Sequence, residues 1–144
     1  LSNPVTLEGM YANLENVAQL TGKQDAAESL IDSLKARVAL IDEQVSAATR
    51  KPLVFYEIDA TSTIYGLAPD DYAAELIRLA GGEPVTSGSP GVYEIALEKL
   101  VAAAPEVIVL GGHLRHLYPQ VQEAVQGHIH RAMPATRSVS CFRV

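Results

Sequence analysis

Several features that would restrict the function of this chain are scarce or missing. One cysteine, Cys141, occurs among 144 residues, so the chain has no internal disulfide framework. No apolar run approaches the roughly 20 residues that span a bilayer. The first eleven residues lack the basic start and apolar core of a signal peptide, and none is expected within the chain. Basic residues number 11 against 17 acidic ones, and the net charge of -6, without any basic stripe, argues against a nucleic-acid partner.

Signatures of common enzyme classes are missing as well. A serine hydrolase carries G-x-S-x-G at a strand-to-helix turn, but "SGSPG" at residues 87–91 follows no strong strand. The dinucleotide-binding pattern G-x-G-x-x-G and the phosphate-binding pattern G-x-x-x-x-G-K do not occur. The sequence therefore predicts that the protein is not an enzyme.

The first third of the chain shows helical periodicity. Apolar residues at helical spacing predict a first helix that ends at Gly22, a typical C-terminal cap. From Gln24 to about Arg50, apolar residues recur every three or four positions with no internal Gly or Pro. A helix of that length would run roughly 40 Å, longer than a small domain is wide, so we interpret it as a connecting strut. Residues 1–50 are accordingly assigned to a helical segment.

Strand-like segments begin after residue 51. "LVFYEI" at residues 53–58 and "EVIVL" at residues 106–110 are typical of strands that are buried on both faces. "EPVTSG" indicates a short strand or a connector, and "SVSCFRV" at the C-terminus indicates a last strand.

Helices are predicted between these strands. Pro69 is expected in the first turn of a helix that Gly81 closes, and a short helix is expected over residues 97–104, ended by Pro105. "YPQVQEAVQG" indicates a further helix. This alternation predicts an α/β fold, a three-layer Rossmann-like lobe over residues 51–144 with a mostly parallel sheet flanked by helices, preceded by the long connecting helix.

Two loops are candidate binding sites, because open parallel sheets bind ligands at the carboxyl ends of their strands. One follows Ile58 and the other follows Leu110. Their candidate ligand-binding side chains are Thr61, Ser62 and Tyr65 in the first loop, and His113, Arg115, His116 and Tyr118 in the second. The alternative interpretation is two solvated loops whose glycines only turn the chain.

The four histidines all fall between residues 113 and 130, as the pairs His113 with His116 and His128 with His130. Either pair could contribute to a metal site, but metal sites also recruit Cys, Asp or Glu at fixed spacing, and nothing in the sequence completes a set. No metal ligands are therefore assigned, and a direct metal-ion binding protein stays an alternative.

The segment from Leu53 to Gly112 resembles the C-terminal lobe of a known family, the helical-backbone class of periplasmic substrate-binding proteins that serve ABC importers of iron siderophores, haem and cobalamin. The resemblance rests on the helix ending in "LAGGE", on Glu98 before a Leu-rich turn, and on "APEVIVLGG". The helix from Gln24 to Arg50 is similar to the one that joins two lobes in this family and restricts their closure. The resemblance thus implies a C-terminal lobe at residues 51–144, with the N-terminal lobe absent from the chain.

The family implies a function for several of these residues. Its ligand, an iron or cobalt chelate rather than a resident cofactor, lies between the two lobes. Arg115 would pair with a carboxylate or catecholate oxygen, and Tyr65 or Tyr118 would stack on a ring or ligate haem iron, although each is equally compatible with an ordinary surface residue. The resemblance also implies a periplasmic or exported location, attached to the outer face of the cytoplasmic membrane.

Glu98 matches a surface glutamate that docks on arginines of the membrane permease in related importers. A carboxylate in the first turn of a helix is stabilised by the helix dipole, and an arginine can bind it through two hydrogen bonds. An ordinary solvated glutamate is the alternative. The preceding Ala96 has no side chain that could cap the helix.

A third interpretation is an isolated α/β interaction module. In that case the apolar stripe of the long helix would be exposed, and a homodimer of the chain could form through it.

Overall fold

A computed structural model of the chain describes residues 1–111 and the backbone of residues 138–141. The helix predicted over residues 118–127 lies outside the described residues, as do the candidate side chains His113, Arg115, His116 and Tyr118 and the histidine pair at residues 128 and 130. None of the helices that the structure describes combines the length and apolarity needed to cross a bilayer.

The first helix, α1, spans Leu7–Thr21. The Thr6 side chain caps its N-terminus by accepting a hydrogen bond from the Gly9 N–H at 3.1 Å. Gly22 caps the other end with φ of 67°, a left-handed conformation that glycine adopts without steric cost, so the predicted cap is confirmed.

The second helix, α2, spans Gln24–Ser46, and its 23 residues correspond to about 35 Å. It ends four residues before the predicted end. The Ser46 hydroxyl donates a hydrogen bond to the Glu43 carbonyl at 2.7 Å, a local bond that competes with further helix. Ile31 is buried, whereas three other large apolar residues of α2 are 45 to 59% exposed: Leu30, Leu40 and Ile41. Much of the apolar stripe of the long helix is therefore at the surface of this chain.

Among the described residues, the sheet has four parallel strands. They are β1 (Leu53–Glu57), β2 (Glu83–Pro84), β3 (Val107–Leu110) and β4 (Ser138–Cys141). Their order across the sheet is β2-β1-β3-β4, and all three neighbouring pairs are parallel. The predicted parallel sheet is confirmed, and the terminal strand falls within the predicted "SVSCFRV".

Two shorter helices connect the strands. The third helix, α3, spans Tyr72–Leu79, and its N-cap is Asp71, which accepts a hydrogen bond from the Ala73 N–H at 2.7 Å. The expectation that Pro69 lies in the first turn of this helix is wrong, because the helix begins at Tyr72, after the Asp71 N-cap, and Pro69 lies in the preceding loop. The fourth helix, α4, spans Leu97–Ala103 and has no side-chain cap at Ala96, as expected.

The helices cover both faces of the sheet and form three layers. On one face, Phe55, Ile108 and Leu110 pack with Leu100 of α4 in a buried core. On the other face, a cavity of about 970 Å³ lies between the sheet and α1, α2 and α3. In this second layer, Tyr72 and Leu79 of α3 pack against a cluster formed by α1 and α2. The predicted three-layer α/β architecture is thus confirmed for the described residues.

The junction after α4 provides a test of backbone strain. Ala104 has φ of 48°, and a left-handed alanine costs about 1–2 kcal/mol. We expect Ala104→Gly to raise the free energy of unfolding by about 0.5–1 kcal/mol, because relief of strain outweighs the extra entropy of glycine in the unfolded chain. Urea unfolding of the full-length protein measures the change.

The matched control is Ala102→Gly, the same substitution at an exposed position within α4. There glycine lowers helix stability, and we expect a loss of about 0.5–1 kcal/mol. If both variants lost stability to the same extent, backbone strain at Ala104 would contribute little to the free energy of unfolding.

Candidate functional site

The two loops that the sequence singles out begin side by side. Glu57, the last residue of β1, pairs in register with Leu110, the last residue of β3. Directly after β3, the Gly111 N–H donates a hydrogen bond to the Glu57 carbonyl at 2.9 Å. β2 lies on one side of β1 and β3 lies on the other. The order in which the chain adds strands to the sheet therefore reverses between β1 and β3. This is a topological switch point, where open α/β sheets form their binding crevice.

Gly111 is required here for space. A Cβ atom at this position would lie 2.6 Å from the Tyr56 hydroxyl oxygen and 2.7 Å from its ring. The glycine therefore lets the backbone leave β3 directly over the Tyr56 side chain. The sequence suggests a turn at the Gly-Gly pair, but the close approach to Tyr56 is visible only in the structure.

The first loop is closed at its base by backbone hydrogen bonds. The Tyr65 N–H donates to the Asp59 carbonyl at 2.7 Å, and the Ile58 N–H donates to the Tyr65 carbonyl at 2.8 Å. The loop also joins a second segment, because the Gly66 N–H donates to the Tyr93 carbonyl and the Ile95 N–H donates to the Ile64 carbonyl, both at 2.9 Å. These bonds fix where the tip of the loop, residues 60–64, leaves the protein.

A local network orders the tip itself. The Asp59 carboxylate accepts hydrogen bonds from the Thr61 N–H and from the Thr61 hydroxyl, each at 3.1 Å. The Thr61 hydroxyl therefore donates within the loop and offers a ligand its acceptor lone pairs. Ser62 is exposed beside it, so both predicted side chains lie on the surface of a structured loop.

Two tyrosines border the base of this loop. Tyr65, a predicted site residue, is 38% exposed, and so is Tyr93, which is not among the predicted site residues. Because Tyr93 bonds through its backbone to Gly66, it lies on the strand-like segment next to Tyr65. An aromatic residue two positions after the turn-forming "SGSPG" is the available signal in the sequence, but only the pairing of the two segments identifies its position.

Carboxylates set the electrostatics around Tyr93. The negative charge of Asp71 raises the pKa of the Tyr93 phenol above its usual value, with smaller contributions from desolvation, a side-chain hydrogen bond to Asp71, and the charge of Asp70. Asp70 also accepts a hydrogen bond from the Gly91 N–H at 3.0 Å. The raised pKa favours the neutral phenol, which can stack on a ligand or donate a hydrogen bond to it.

The described residues do not form a metal site. Within residues 1–111 and 138–141, no group of three or more His, Cys, Asp or Glu side chains is arranged to hold a metal ion. The two histidine pairs considered from the sequence lie outside these residues, and their role stays a prediction.

Glu98 lies on α4, shortly after Ile95, whose N–H donates a hydrogen bond to the Ile64 carbonyl of the first loop. It is exposed in the first turn of α4, a helix that its buried Leu100 and the partly buried Ala103 attach to the core. The next residue, Lys99, donates a hydrogen bond from its ammonium group to the Ser87 carbonyl. α4 is thereby tied to the loop over residues 87–91, while Glu98 points its charge to the outside.

Comparison with known proteins places these features in a family. Residues 1–139 match the family described as periplasmic binding protein. In an alignment 145 positions long, the chain is 24% identical to the vitamin B12-binding protein of Photorhabdus laumondii, and the match covers 92% of this chain and 52% of that protein.

Solved structures with the same fold include binding proteins from two further bacteria. An ABC transporter substrate-binding protein from Listeria monocytogenes EGD-e matches with a TM-score of 0.75 and 19% identity, over 94% of this chain and 55% of that one. S. aureus IsdE, solved with haem, matches with a TM-score of 0.72 and 18% identity, over 95% and 55% of the two chains. At these identities the likeness establishes the fold, and the chain spans about half the length of the proteins it matches.

The acidic neighbours of Tyr93 lead to a pH prediction. Because folding favours the neutral phenol, its contribution to stability is present below pH ~10 and is lost as the pH rises through the raised pKa. We expect Asp71→Asn, which keeps a good N-cap but removes the charge, to lower the pKa of Tyr93 toward the usual value. NMR titration of ring-labelled tyrosine, assigned with Tyr93→Phe, measures it.

Asp70→Asn is the control for this measurement. Its charge is the smallest of the contributions, so we expect a smaller decrease in the pKa of Tyr93. An equal or larger decrease in this variant would contradict the assignment of Asp71 as the main cause.

Proposed function

The chain belongs to the periplasmic binding protein family, and from this premise we propose that it forms part of the ligand-binding component of an ABC importer. Membership of a binding-protein family confirms the prediction that the chain is not an enzyme. The observation that carries the proposal is the family match over residues 1–139, together with the switch point at β1 and β3. Residues 51–144 are proposed as the C-terminal lobe, and α2 as the helix that joins it to a second lobe.

The ligand-binding surface is proposed at the carboxyl ends of β1 and β3. Support comes from the position of Thr61, Ser62 and Tyr65 on the ordered loop after β1, which begins next to the residue that leads into the second loop. The second loop would contribute His113, Arg115, His116 and Tyr118. A surface of this kind encloses one side of a ligand, and the other lobe would enclose the opposite side.

A metal chelate is the proposed ligand class, with cobalamin ahead of haem and ferric siderophores. The relative from Photorhabdus laumondii is named for vitamin B12 binding, and the surroundings of Tyr93 are acidic. Asp59, Asp70 and Asp71 repel a ligand that carries several negative charges, whereas Arg115 of the second loop would attract a carboxylate or catecholate, so the ranking rests mainly on the name of the relative. Cobalamin carries little net charge and meets no such repulsion.

Glu98 is proposed to dock on the membrane permease of the importer. Its exposure in the first turn of α4 supports this proposal, because the carboxylate is accessible to a partner. An arginine of the permease would bind the carboxylate through two hydrogen bonds. The family name indicates a periplasmic location, and attachment to the outer face of the cytoplasmic membrane is part of the proposal.

Ligand titration tests the proposed cleft. Cyanocobalamin, hemin and a ferric catecholate are each added to the full-length protein, and binding is followed by quenching of tyrosine fluorescence. We expect cobalamin to bind most tightly and Tyr65→Ala to weaken it about fivefold to tenfold, because a stacking ring is lost. Leu20→Ala, an exposed site on α1, serves as the control and should leave the affinity unchanged.

Tyr65→Phe separates the two roles considered for this side chain. Retained affinity in Tyr65→Phe means that the ring stacks, whereas a loss equal to that of Tyr65→Ala means that the hydroxyl binds. Absence of binding by all three chelates would contradict the importer function. In that case, Zn²⁺ and Fe²⁺ titrations test direct metal binding, and light scattering of the chain tests the dimeric interaction module.

The docking role of Glu98 is tested separately. We expect Glu98→Gln to weaken binding of the protein to its permease in lipid nanodiscs by about tenfold or more and to leave cobalamin affinity unchanged, because a charge-assisted pair is lost. Glu94→Gln, an exposed glutamate just before α4, is the control for permease binding. A loss of ligand affinity in Glu98→Gln would place Glu98 in the cleft instead.

A further inference from the structure

Glu94 lies directly across from Tyr65 in a short antiparallel pairing between the first loop and the segment before α4. Backbone hydrogen bonds of 2.9 Å flank this pair on both sides: the Gly66 N–H donates to the Tyr93 carbonyl, and the Ile95 N–H donates to the Ile64 carbonyl. Tyr65 and Glu94 are therefore a non-hydrogen-bonded pair. In such a pair the Cα atoms are about 4.5 Å apart, and both side chains extend from the same face.

The opposite face of this pairing belongs to the core. Ile95, next to Glu94, is 2% exposed and lies in the same buried cluster as Phe55. Gly66, next to Tyr65, turns to that side as well, because a Cβ atom there would lie 2.6 Å from Ile95 Cδ1. Since successive side chains of a strand alternate between faces, Tyr65 and Glu94 are on the outward face, and both are exposed.

Asp59 pairs with Tyr65 on its other side. The Tyr65 N–H donates to the Asp59 carbonyl at 2.7 Å, and the Asp59 N–H donates to the Tyr65 carbonyl at 3.4 Å. Both carboxylate oxygens of Asp59 accept hydrogen bonds from Thr61. The Asp59 carboxylate is thus engaged within the first loop, whereas the Glu94 carboxylate comes from a separate segment and is exposed on the same face as Tyr65.

We propose that Glu94 determines ligand specificity at this site, by accepting hydrogen bonds from donor groups at the edge of a ring that stacks on Tyr65. The inference rests on the proposed ligand-binding function of the cleft and adds its selectivity. A carboxylate accepts hydrogen bonds but donates none, and it repels a second carboxylate. This position therefore favours a chelate whose periphery carries primary amides, such as cobalamin, over one whose periphery carries carboxylates, such as haem.

Ligands that differ in one group test this role. Cyanocobalamin and its monocarboxylates, in each of which one peripheral amide is hydrolysed to the acid, are titrated into the full-length protein at neutral pH. We expect at least one monocarboxylate to bind about tenfold more weakly than cyanocobalamin, because a donor is replaced by a like charge. In Glu94→Gln this preference should fall to about twofold or less, since the glutamine amide can donate a hydrogen bond to a carboxylate.

Glu83→Gln is the matched control. Glu83 is an exposed glutamate of β2 that pairs with Leu53 at the start of β1, so it lies at the opposite end of the strands from the two loops. We expect this variant to keep the original preference for cyanocobalamin. Tyr65→Ala should keep the preference too while weakening every ligand by a similar factor, because a stacking ring does not distinguish an amide from a carboxylate.

The outcomes distinguish the inference from the function on which it rests. If the protein binds cyanocobalamin but shows no preference over any monocarboxylate, or if Glu94→Gln keeps the full preference, the cleft binds the chelate and the role of Glu94 is wrong. If hemin binds more tightly than cyanocobalamin, the importer function stands and the proposed selectivity is overturned. An equal loss of preference in Glu83→Gln would assign the selectivity to overall charge and overturn the role of Glu94. If none of the chelates binds, both the function and the inference are overturned.

Discussion

The pairing of β1 with β3 is the constraint on which the rest of this lobe depends. Four residues of each strand are in register, and the last pair, Glu57 with Leu110, continues directly into the Gly111 hydrogen bond. Because β2 pairs with the other edge of β1, both loops leave the sheet where its winding direction reverses. Without the close approach of Gly111 to Tyr56, the second loop could not start at this point.

One continuous segment, residues 87–101, serves both proposed surfaces. Its first part is held to the cleft side, since Asp70 accepts from the Gly91 N–H and Tyr93 pairs with Gly66. Its second part is α4, which packs on the core through Leu100 and carries Glu98 outside. Lys99 links the two parts through the Ser87 carbonyl. A ligand contact and a permease contact would therefore be made by neighbouring parts of one ordered stretch of chain.

Much of this architecture can be predicted from the sequence, because it depends on local patterns. Apolar periodicity and the glycine at position 22 predict α1 and most of α2, and continuous apolar runs predict β1 and β3. The start of α3 was misplaced, since Pro69 suits a first turn as well as a loop, and only the hydrogen bond at Asp71 decides between them. Tyr93 is not predicted as a site residue, for a related reason. Its importance comes from a partner 27 positions away, at Gly66, and pairing at that distance leaves no trace in local composition.

The attachment of the helical segment to the lobe has an electrostatic consequence. The Leu7 N–H at the start of α1 donates to the Glu75 carboxylate of α3 at 2.9 Å, so the first helix is fastened to a helix of the lobe and not to the sheet. Between Ser46 and Leu53 the chain is irregular and mostly exposed, with Arg50 paired to Glu106. Because α1 bonds to α3, and the N-cap of α3 is the Asp71 carboxylate that raises the pKa of Tyr93, the position of the helical segment and the electrostatics around Tyr93 are linked through a single helix.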